Sequence, residues 1–429
     1  MKITHILSVL AMSAAMSSSP SAAQNRFDVF PTRSESDIPY RIPAIAAMSD
    51  GTVICVADYR YSRSDIGMKK DGRVDLHVRI SRDNGCSWGE IATLIAGKGA
   101  ESQDFMNVPF GDPCIVADSR SGKVLVMSCS GNVSFPGGRR HLHQGIARFY
   151  SEDGGESWSS PEDISEAIYE QFDESPAGPV KAMFIASGRI LQSRYVKKGR
   201  YHRLYCAVMV NAADDVKQNY VLYSDDFGGS WSVLGGVAVA PIPQGADEAK
   251  VEELPGGSLL ISSRTDSGGR LFNIYRFANR RRPTGRWEEM VHSSAHNGGI
   301  VTEKNACNGG LMLLPVVRTS DGRKMNLLLQ SAPIGPYRTN VGIYYKALDP
   351  RADSFTPDQI AKDWEGVFRV TDKGSAYSTM ASQSDGSVGF LFEEQTHCTD
   401  AGGGYTIVYD RLTIEEITSG RYRSCSRGL

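Results

Sequence analysis

The chain carries no excess of either charge. Its 47 basic side chains stand against 49 acidic ones, which argues against a generic binder of nucleic acid or of a polyanionic surface. It also lacks any long polar tract. With 41% hydrophobic and 22% charged residues, it reads as a folded chain able to bury a sizeable core. Beyond residue 23, no apolar run approaches the roughly 18 residues of a membrane span. The eight cysteines, Cys55, Cys86, Cys114, Cys129, Cys206, Cys307, Cys398 and Cys425, are sparse and form no C-x-x-C pair. They read as buried packing residues or as one or two incidental bridges, whose connectivity spacing does not fix. A zinc signature is missing too: His141 and His143 stand two apart without a third ligand, and no H-E-x-x-H segment occurs. No metal is expected.

What is present begins with the pattern of an export signal. Lys2 is followed by an apolar stretch from Ile6 to Met16 and by Ser21-Ala22-Ala23, small residues suited to cleavage after Ala23. Residues 1–23 are therefore expected to be a signal peptide and residues 24–429 the mature domain. No cysteine follows the signal closely enough to carry a lipid anchor. The mature protein is expected to be soluble and exported to the periplasm, the cell surface or the medium.

One eight-residue pattern, S-x-D-x-G-x-S-W, occurs three times: Ser81 to Trp88, Ser151 to Trp158 and Ser224 to Trp231. The starts are 70 and 73 residues apart, so the mature length leaves room for close to six such units. The pattern suits a hairpin turn. Asp accepts bonds from nearby backbone N–H groups, Gly supplies a positive φ, and Trp folds its ring back over the strands. Short apolar or aromatic runs precede the boxes at Leu76 to Ile80, Ile146 to Tyr150 and Tyr220 to Tyr223. Similar runs recur at Val124 to Met127, Ser258 to Ser262, Met325 to Gln330 and Val341 to Tyr345. Helix signals are confined to Ser165–Phe172 and Pro357–Asp363. The fold expected is all-β, a six-bladed propeller of four-stranded antiparallel blades that close in a ring. Such a scaffold does not by itself define a function.

Together with Tyr40-Arg41-Ile42-Pro43, the three boxes resemble exported bacterial sialidases (neuraminidases) of glycoside hydrolase family 33. The resemblance runs from about Arg26 to the C-terminus. It implies an active site at one mouth of the propeller channel, a retaining exo-α-sialidase activity, and sialylated glycoproteins, glycolipids or oligosaccharides as substrates. Sialic acid carries a carboxylate on its anomeric carbon, and the planar fork of arginine suits a carboxylate better than lysine does. The family uses three arginines, and Arg41, Arg264 and Arg338 match them. Asp65, in Ser64-Asp65-Ile66-Gly67, matches the acid/base. Its task requires protonation during part of the cycle, which a partly desolvated position would favour. Asp58, Asp71 and Asp75 compete in the same stretch, and Arg60 is expected to contact substrate beside the acid.

A carboxylate nucleophile would be repelled by the substituent on the anomeric carbon, so a neutral phenol activated by a glutamate is the better reagent. A tyrosine nucleophile is already known for sialidases as an exception to the two-carboxylate rule. Tyr377, in Ser375-Ala376-Tyr377-Ser378, resembles the family's tyrosine, and Glu248 its base. Asp247, Glu252 and Glu253 are rivals, and strand alternation leaves Glu248 and Glu252 facing the same way. Glu393 matches the glutamate that orients the first arginine, with Glu394 as the alternative. Asp112 matches a polar residue near the acid and the substrate's amide arm, and a turn cap is the alternative.

Two departures accompany the resemblance. The regions near Arg276 to Trp287 and Lys346 to Phe355 keep the length of a repeat but lose its Ser-Asp-Gly centre. Gly85-Cys86-Ser87-Trp88-Gly89 satisfies the serine-hydrolase pattern G-x-S-x-G, but the other two boxes carry Ser159 and Ser232 at the closing glycine, so the match is incidental. The remaining alternatives are a catalytically inactive sialic-acid-binding propeller and a trans-sialidase. The chemistry calls for no cofactor.

Overall fold

Runs of β-branched and aromatic residues alternate with turn residues along the chain, and they assemble into six sheets. The computed structural model describes residues 25–34, 40–70, 72–304, 306–352, 354–396 and 404–425. The export-signal pattern, Asp71 and Cys398 lie outside the described residues. The sheets are the blades of a six-bladed β-propeller.

Blade 1 runs outward from the channel as Tyr40–Ala47, Val53–Arg60, Val74–Ser81 and Ala92–Ile95. Blade 2 is Phe110–Ala117, Val124–Ser130, Gly145–Ser151 and Glu162–Asp163, with Gly188–Arg189 added in parallel at its inner edge. Blade 3 is built on Ala182–Ile185, Tyr201–Asn211, Lys217–Ser224 and Ser232–Val233. Blade 4 is Ala249–Glu253, Leu259–Arg264, Arg270–Asn279 and Thr284–Trp287. Blade 5 is Leu311–Arg318, Lys324–Pro333, Val341–Leu348 and Gly366–Arg369. Blade 6 is Ser375–Ser382, Val388–Gln395 and Tyr405–Leu412, completed on the outside by the early strand Arg26–Phe30. That pairing joins the beginning of the propeller to its end and closes the ring.

The core lies between blades rather than at one centre. Leu125, Met127 and Ile146 of blade 2, for example, pack with Leu204, Val208 and Leu222 of blade 3, all essentially inaccessible. Each such side chain contributes about 1.5–3 kcal/mol on burial. Of the described cysteines, Cys55, Cys114, Cys129, Cys206 and Cys307 are buried, and none of the described cysteines forms a disulfide. The two expected helices are Ser165–Tyr169, continued by a 3-10 turn over Glu170–Phe172, and Pro357–Ala361, capped by Thr356. A third, Ile414–Ile417, gave no signal beforehand; Thr413 caps it with Glu416 returning the bond.

The repeats behave as staples. In each, the serine hydroxyl that opens the box accepts from the N–H four residues on, and the Asp carboxylate takes the N–H and hydroxyl of the second serine, as for Ser81, Asp83, Gly85 and Ser87. The same set recurs from Ser151 and from Ser224. Gly85, Gly155 and Gly228 adopt φ of 82°, 96° and 83°. Each box leaves the end of a third strand. In an antiparallel meander, the starts of first and third strands share one mouth with the ends of second strands, so the boxes lie at the opposite mouth.

Candidate active site

Every proposed site residue sits at the mouth where inner strands begin. Arg41 and Asp112 are near the start of inner strands, Glu248 immediately precedes one, and Tyr377 is the third residue of another. Arg60 and Arg264 end second strands, Glu393 is near the end of one, and Arg338 lies between Lys324–Pro333 and Val341–Leu348. Residues from five blades therefore converge.

Local backbone irregularities aim them. The pairing registers of the inner strands of blades 1, 2 and 6 slip between Arg41 and Ala44, Gly111 and Cys114, and Ser375 and Ser378. These are β-bulges, which re-aim side chains beside sites. Ile42 and Asp112 have φ of 53° and 55°, and Tyr337 and Asn340, flanking Arg338, have 54° and 55°. A β-branched residue such as Ile42 adopts that region only where its surroundings impose it. The constraint at Ile42 is Glu393: its Oε1 accepts from Ile42 N and from Arg41 Nε, both at 2.8 Å, while its Oε2 accepts from Tyr377 N at 3.2 Å. One fully buried carboxylate thus ties the first arginine to the tyrosine backbone.

At the centre, Tyr377 Oη donates to Glu248 Oε1 at 2.7 Å. Arg264 Nη1 donates to Glu248 Oε2 at 2.9 Å and reaches Tyr377 Oη at 3.4 Å. The guanidinium carbons of Arg41 and Arg338 lie 5.7 and 5.8 Å from the Tyr377 ring centroid. Arg41 is paired with Glu393 and Arg264 with Glu248; among the described residues Arg338 has no carboxylate partner. Burial pushes the Glu248 carboxyl up, but Arg264 and the Tyr377 hydroxyl outweigh it and leave it below its ordinary value. Burial, reinforced by Glu248, pushes the Tyr377 phenol well above its ordinary value. The resting pair is an anionic carboxylate beside a neutral phenol.

Glu252, Glu253, Glu394, Asp58 and Asp75 hold partners of their own, whereas Asp247 stays beside the pair, its Oδ1 3.8 Å from Arg264 Nη1. Glu252 accepts from Arg189 and Arg194 deeper in the channel. Glu253 takes the Ser193 hydroxyl and the Arg194 N–H, and Asp247 caps the Glu248 N–H. Glu394 binds Arg26, Thr371 and Lys373, away from Arg41. Asp75 is held by Arg73, Tyr61 and the Gly97 N–H. Asp58 is buried, accepts from Arg60 Nε and Nη2 at 3.1 and 2.9 Å, and takes the Asp112 N–H at 2.8 Å. Burial carries the Asp58 carboxyl up to about 6 despite Arg60, and burial together with Asp58 carries Asp112 well above its ordinary value.

Asp65 differs from the sequence expectation. Its side chain is 77% exposed and its Oδ1 accepts from Arg60 Nη1 at 2.6 Å. Desolvation raises its carboxyl, but Arg60 outweighs it and the group lies below its ordinary range. Asp65 is thus a carboxylate on an exposed loop, held by its ion pair with Arg60. Its loop is pinned by Gly67, where at φ 69° an added Cβ would come within 2.1 Å of the Val133 backbone.

Arg41, Arg60, Asp65, Asp112, Asp247, Glu248, Arg338 and Tyr377 line a cavity of about 360 Å³ whose other wall is formed by Ser134, Phe135, Pro136, Gln144, Phe184 and Met209. None of that wall was foreseen. Its residues come from a loop of blade 2 and two strands of blade 3, and no local pattern marks them. Lys250 was also missed. It lies two positions after Glu248, on the strand that Glu248 precedes, is buried, and donates to the Ser187 carbonyl. No cluster of three or more His, Cys, Asp or Glu able to hold a metal occurs among the described residues.

A propeller stapled by Ser-Asp-Gly boxes, with an arginine-rich mouth, defines a class. The chain belongs to the BNR repeat-like domain family, whose model matches residues 66–390. Among characterised relatives, the sialidase of Micromonospora viridifaciens is 27% identical over 375 residues, which are 83% of this chain and 50% of that protein. The sialidase of Paraclostridium sordellii is 24% identical over 363 residues, 82% of this chain and 81% of its own. The chain thus spans only half the length of the Micromonospora relative. Two solved structures share the fold. The Hadza microbial sialidase Hz136 superposes with a TM-score of 0.68 at 21% identity, over 91% of this chain and 69% of that one. The intramolecular trans-sialidase of Ruminococcus gnavus superposes with a TM-score of 0.67 at 18% identity, over 91% and 98%.

Proposed function

We propose that this protein is a retaining exo-α-sialidase that releases terminal sialic acid from glycoconjugates. The observation that carries the reading is Tyr377 Oη at 2.7 Å from Glu248 inside a cluster of three arginines. Arg338, without a carboxylate partner among the described residues, offers its guanidinium to an anionic ligand, and arginine forks select a planar carboxylate. With the substrate carboxylate on Arg41, Arg264 and Arg338, the anomeric carbon faces the phenol. Tyr377 attacks it while Glu248 takes the phenolic proton, and Asp65 protonates the departing glycosidic oxygen. The result is a tyrosine-linked glycosyl-enzyme. Water, deprotonated by Asp65, then displaces Tyr377, which recovers its proton from Glu248, and the sugar leaves with its α configuration.

Asp65 must be protonated for the first step although it is ionised at rest. The substrate supplies the correction: its carboxylate offsets the nearby arginines, and its bulk excludes water from the Asp65 loop. Both changes raise a carboxyl pKa. The family resemblance and the sialidase names of the relatives support this reading, and transfer to an acceptor other than water would use the same apparatus.

The test is turnover of a fluorogenic α-sialoside, followed by NMR of the first-formed anomer and peptide mapping after trapping with 2,3-difluorosialic acid. The α anomer and a label on Tyr377 are expected. A β anomer formed first, a label elsewhere, or wild type no faster than a Tyr377→Phe/Asp65→Ala double variant would overturn it. Sialyl-lactose and α2,8-linked substrates in the same assay establish linkage preference and separate hydrolysis from transfer.

A further inference from the structure

The charges of the chain balance as a whole but not in every region. Two hairpins, residues 195–201 of blade 3 and 279–287 of blade 4, contain Lys197, Lys198, Arg200, Arg280, Arg281, Arg282 and Arg286 and no Asp or Glu. The second hairpin stands where blade 4 would carry a repeat. It leaves the end of the third strand, Arg270–Asn279, as the intact boxes do, but a turn of arginines replaces the Ser-Asp-Gly centre. That turn closes on its own bonds: Arg282 N donates to the Asn279 carbonyl and Arg281 N to Asn279 Oδ1, both at 2.9 Å. The first hairpin turns at Gly199 and Arg200, between the paired Lys198 and Tyr201.

Both turns project from the mouth opposite the candidate site, because second strands begin there and third strands end there. They are neighbours, with the Arg280 guanidinium carbon 5.7 Å from the Tyr195 ring centroid. Six of the seven cations are exposed, and Lys198 is half-buried. Nearby carboxylates are already engaged: Glu252 by Arg189 and Arg194, Asp225 by Arg203, and Glu288 by Arg276. Among the described residues, none of the seven forms an ion pair. Arg286 even stands directly across from Arg276, and like charges opposed in a sheet are unfavourable. Such crowding costs the free protein stability through self-repulsion, which a bound polyanion offsets. Arginine forks bind phosphate oxygens two at a time, so a phosphate-bearing partner fits. A planar partner fits as well. The cations stand on and beside exposed turns rather than along the walls of a cleft, and Tyr195, 44% exposed among them, is the kind of amphipathic ring that settles at a headgroup boundary. We infer that this face adsorbs to the phosphate headgroups of an anionic lipid bilayer. The candidate site then opens away from the surface, at the other end of the channel. Nothing in this adsorption requires the proposed activity.

The experiment is co-sedimentation of the full chain with vesicles of mixed phosphatidylglycerol and phosphatidylcholine, set against phosphatidylcholine alone. Wild type is expected on the anionic vesicles only. Raising the salt from about 0.1 M to about 1 M, which shortens the screening length from about 10 Å to about 3 Å, should release it. Each cation near such a surface strengthens binding about fivefold, so Lys197→Gln/Arg281→Gln/Arg282→Gln should bind on the order of a hundredfold more weakly. The turn's backbone bonds survive these changes, and thermal melts check folding. The single reversal Arg281→Glu, expected to bind roughly twentyfold more weakly, gives the same reading with one exposed residue changed. Lys69→Gln/Lys70→Gln/Lys304→Gln removes as much charge from exposed loops at the candidate site's mouth and should bind like wild type. No binding to anionic vesicles, equal binding to neutral ones, or equal losses in the two triple variants overturns the inference. Retention on heparin that depends on the two hairpins, without vesicle binding, overturns it too and assigns the face to a linear polyanion.

Discussion

If Glu248 is the base for Tyr377, the two residues form one functional unit, and removing both should cost no more than removing one. Glu248→Gln is the informative perturbation because it keeps the shape of the site. Its amide oxygen can still accept from Arg264 Nη1, now 2.9 Å from Glu248 Oε2, and its NH₂ can face Tyr377 Oη, now 2.7 Å from Oε1. What disappears is the negative charge and the acceptor for the phenolic proton. Because burial already holds the phenol far above its ordinary value, no solvent base substitutes efficiently. A positioned general base is worth about 10²–10⁴-fold, or about 3–5 kcal/mol of activation free energy. Tyr377→Phe removes the nucleophile itself and should cost at least as much. For independent residues the double variant would show the product of the two losses. For a unit, the second substitution adds little to the first. The assay is kcat/KM on a fluorogenic sialoside for the four members of the cycle, with thermal melts to confirm folding. Multiplying losses, or a Glu248→Gln enzyme within threefold of wild type, would refute the reasoning.

Two further perturbations probe the supports. Glu393→Gln places an amide where a fully buried carboxylate takes N–H groups from Arg41, Ile42 and Tyr377; the broken pair should cost about 3–5 kcal/mol of stability and depress kcat/KM by roughly a hundredfold, so normal activity and an unchanged melting temperature would contradict the positioning role. Lys250 tests the pH dependence: burial carries its ammonium down to about 8 from 10.5, with Glu248 opposing. The folded protein therefore bears the full cost of a buried cation below pH 8, and stability rises with pH until the unfolded chain also loses its proton, near about 10.4. Lys250→Met should stabilise the protein at neutral pH by an amount on the order of 3 kcal/mol and abolish that alkaline rise. It should also shift the acid limb of kcat upward, because Glu248 loses a nearby cation. Denaturation midpoints and pH profiles of the two proteins decide both points.

The features read most directly from sequence are those whose physics is local. A box needs its Ser, Asp, Gly and Ser within seven residues because all its hydrogen bonds close inside one turn, and the three intact copies announce the blades. Blade 6 gave no such announcement: its outer strand is Arg26–Phe30, brought from the other end of the chain. The same contrast holds in the site. Alternation puts Glu248 and Glu252 on one face, but four residues of strand separate them by about 13 Å. One therefore meets Tyr377 at the mouth while the other meets Arg189 and Arg194 within the channel. Phe135, Gln144, Phe184 and Met209 meet only because blades 2 and 3 adjoin, and nothing in their local sequence distinguishes them from core residues.

The arginine cluster also explains why the strained backbone lies where it does. Gathering Arg41, Arg264 and Arg338 around one phenol without a ligand is unfavourable by mutual repulsion, and it persists because buried carboxylates hold the first two in place. Those carboxylates must reach across elements, which forces Ile42 into a left-handed conformation to present its N–H to Glu393. Arg338, without a carboxylate of its own among the described residues, sits instead between two residues at positive φ, Tyr337 and Asn340. The fold thus stores both electrostatic and conformational free energy at one mouth. On the proposed reading, an anionic sugar would relieve the electrostatic part on binding, with a gain that falls with ionic strength as solvent screening grows. At the opposite mouth the boxes close their own Ser–Asp hydrogen bonds, with Asn84 and Phe227 also at positive φ, 56° and 59°, and they staple the hairpins from which they leave.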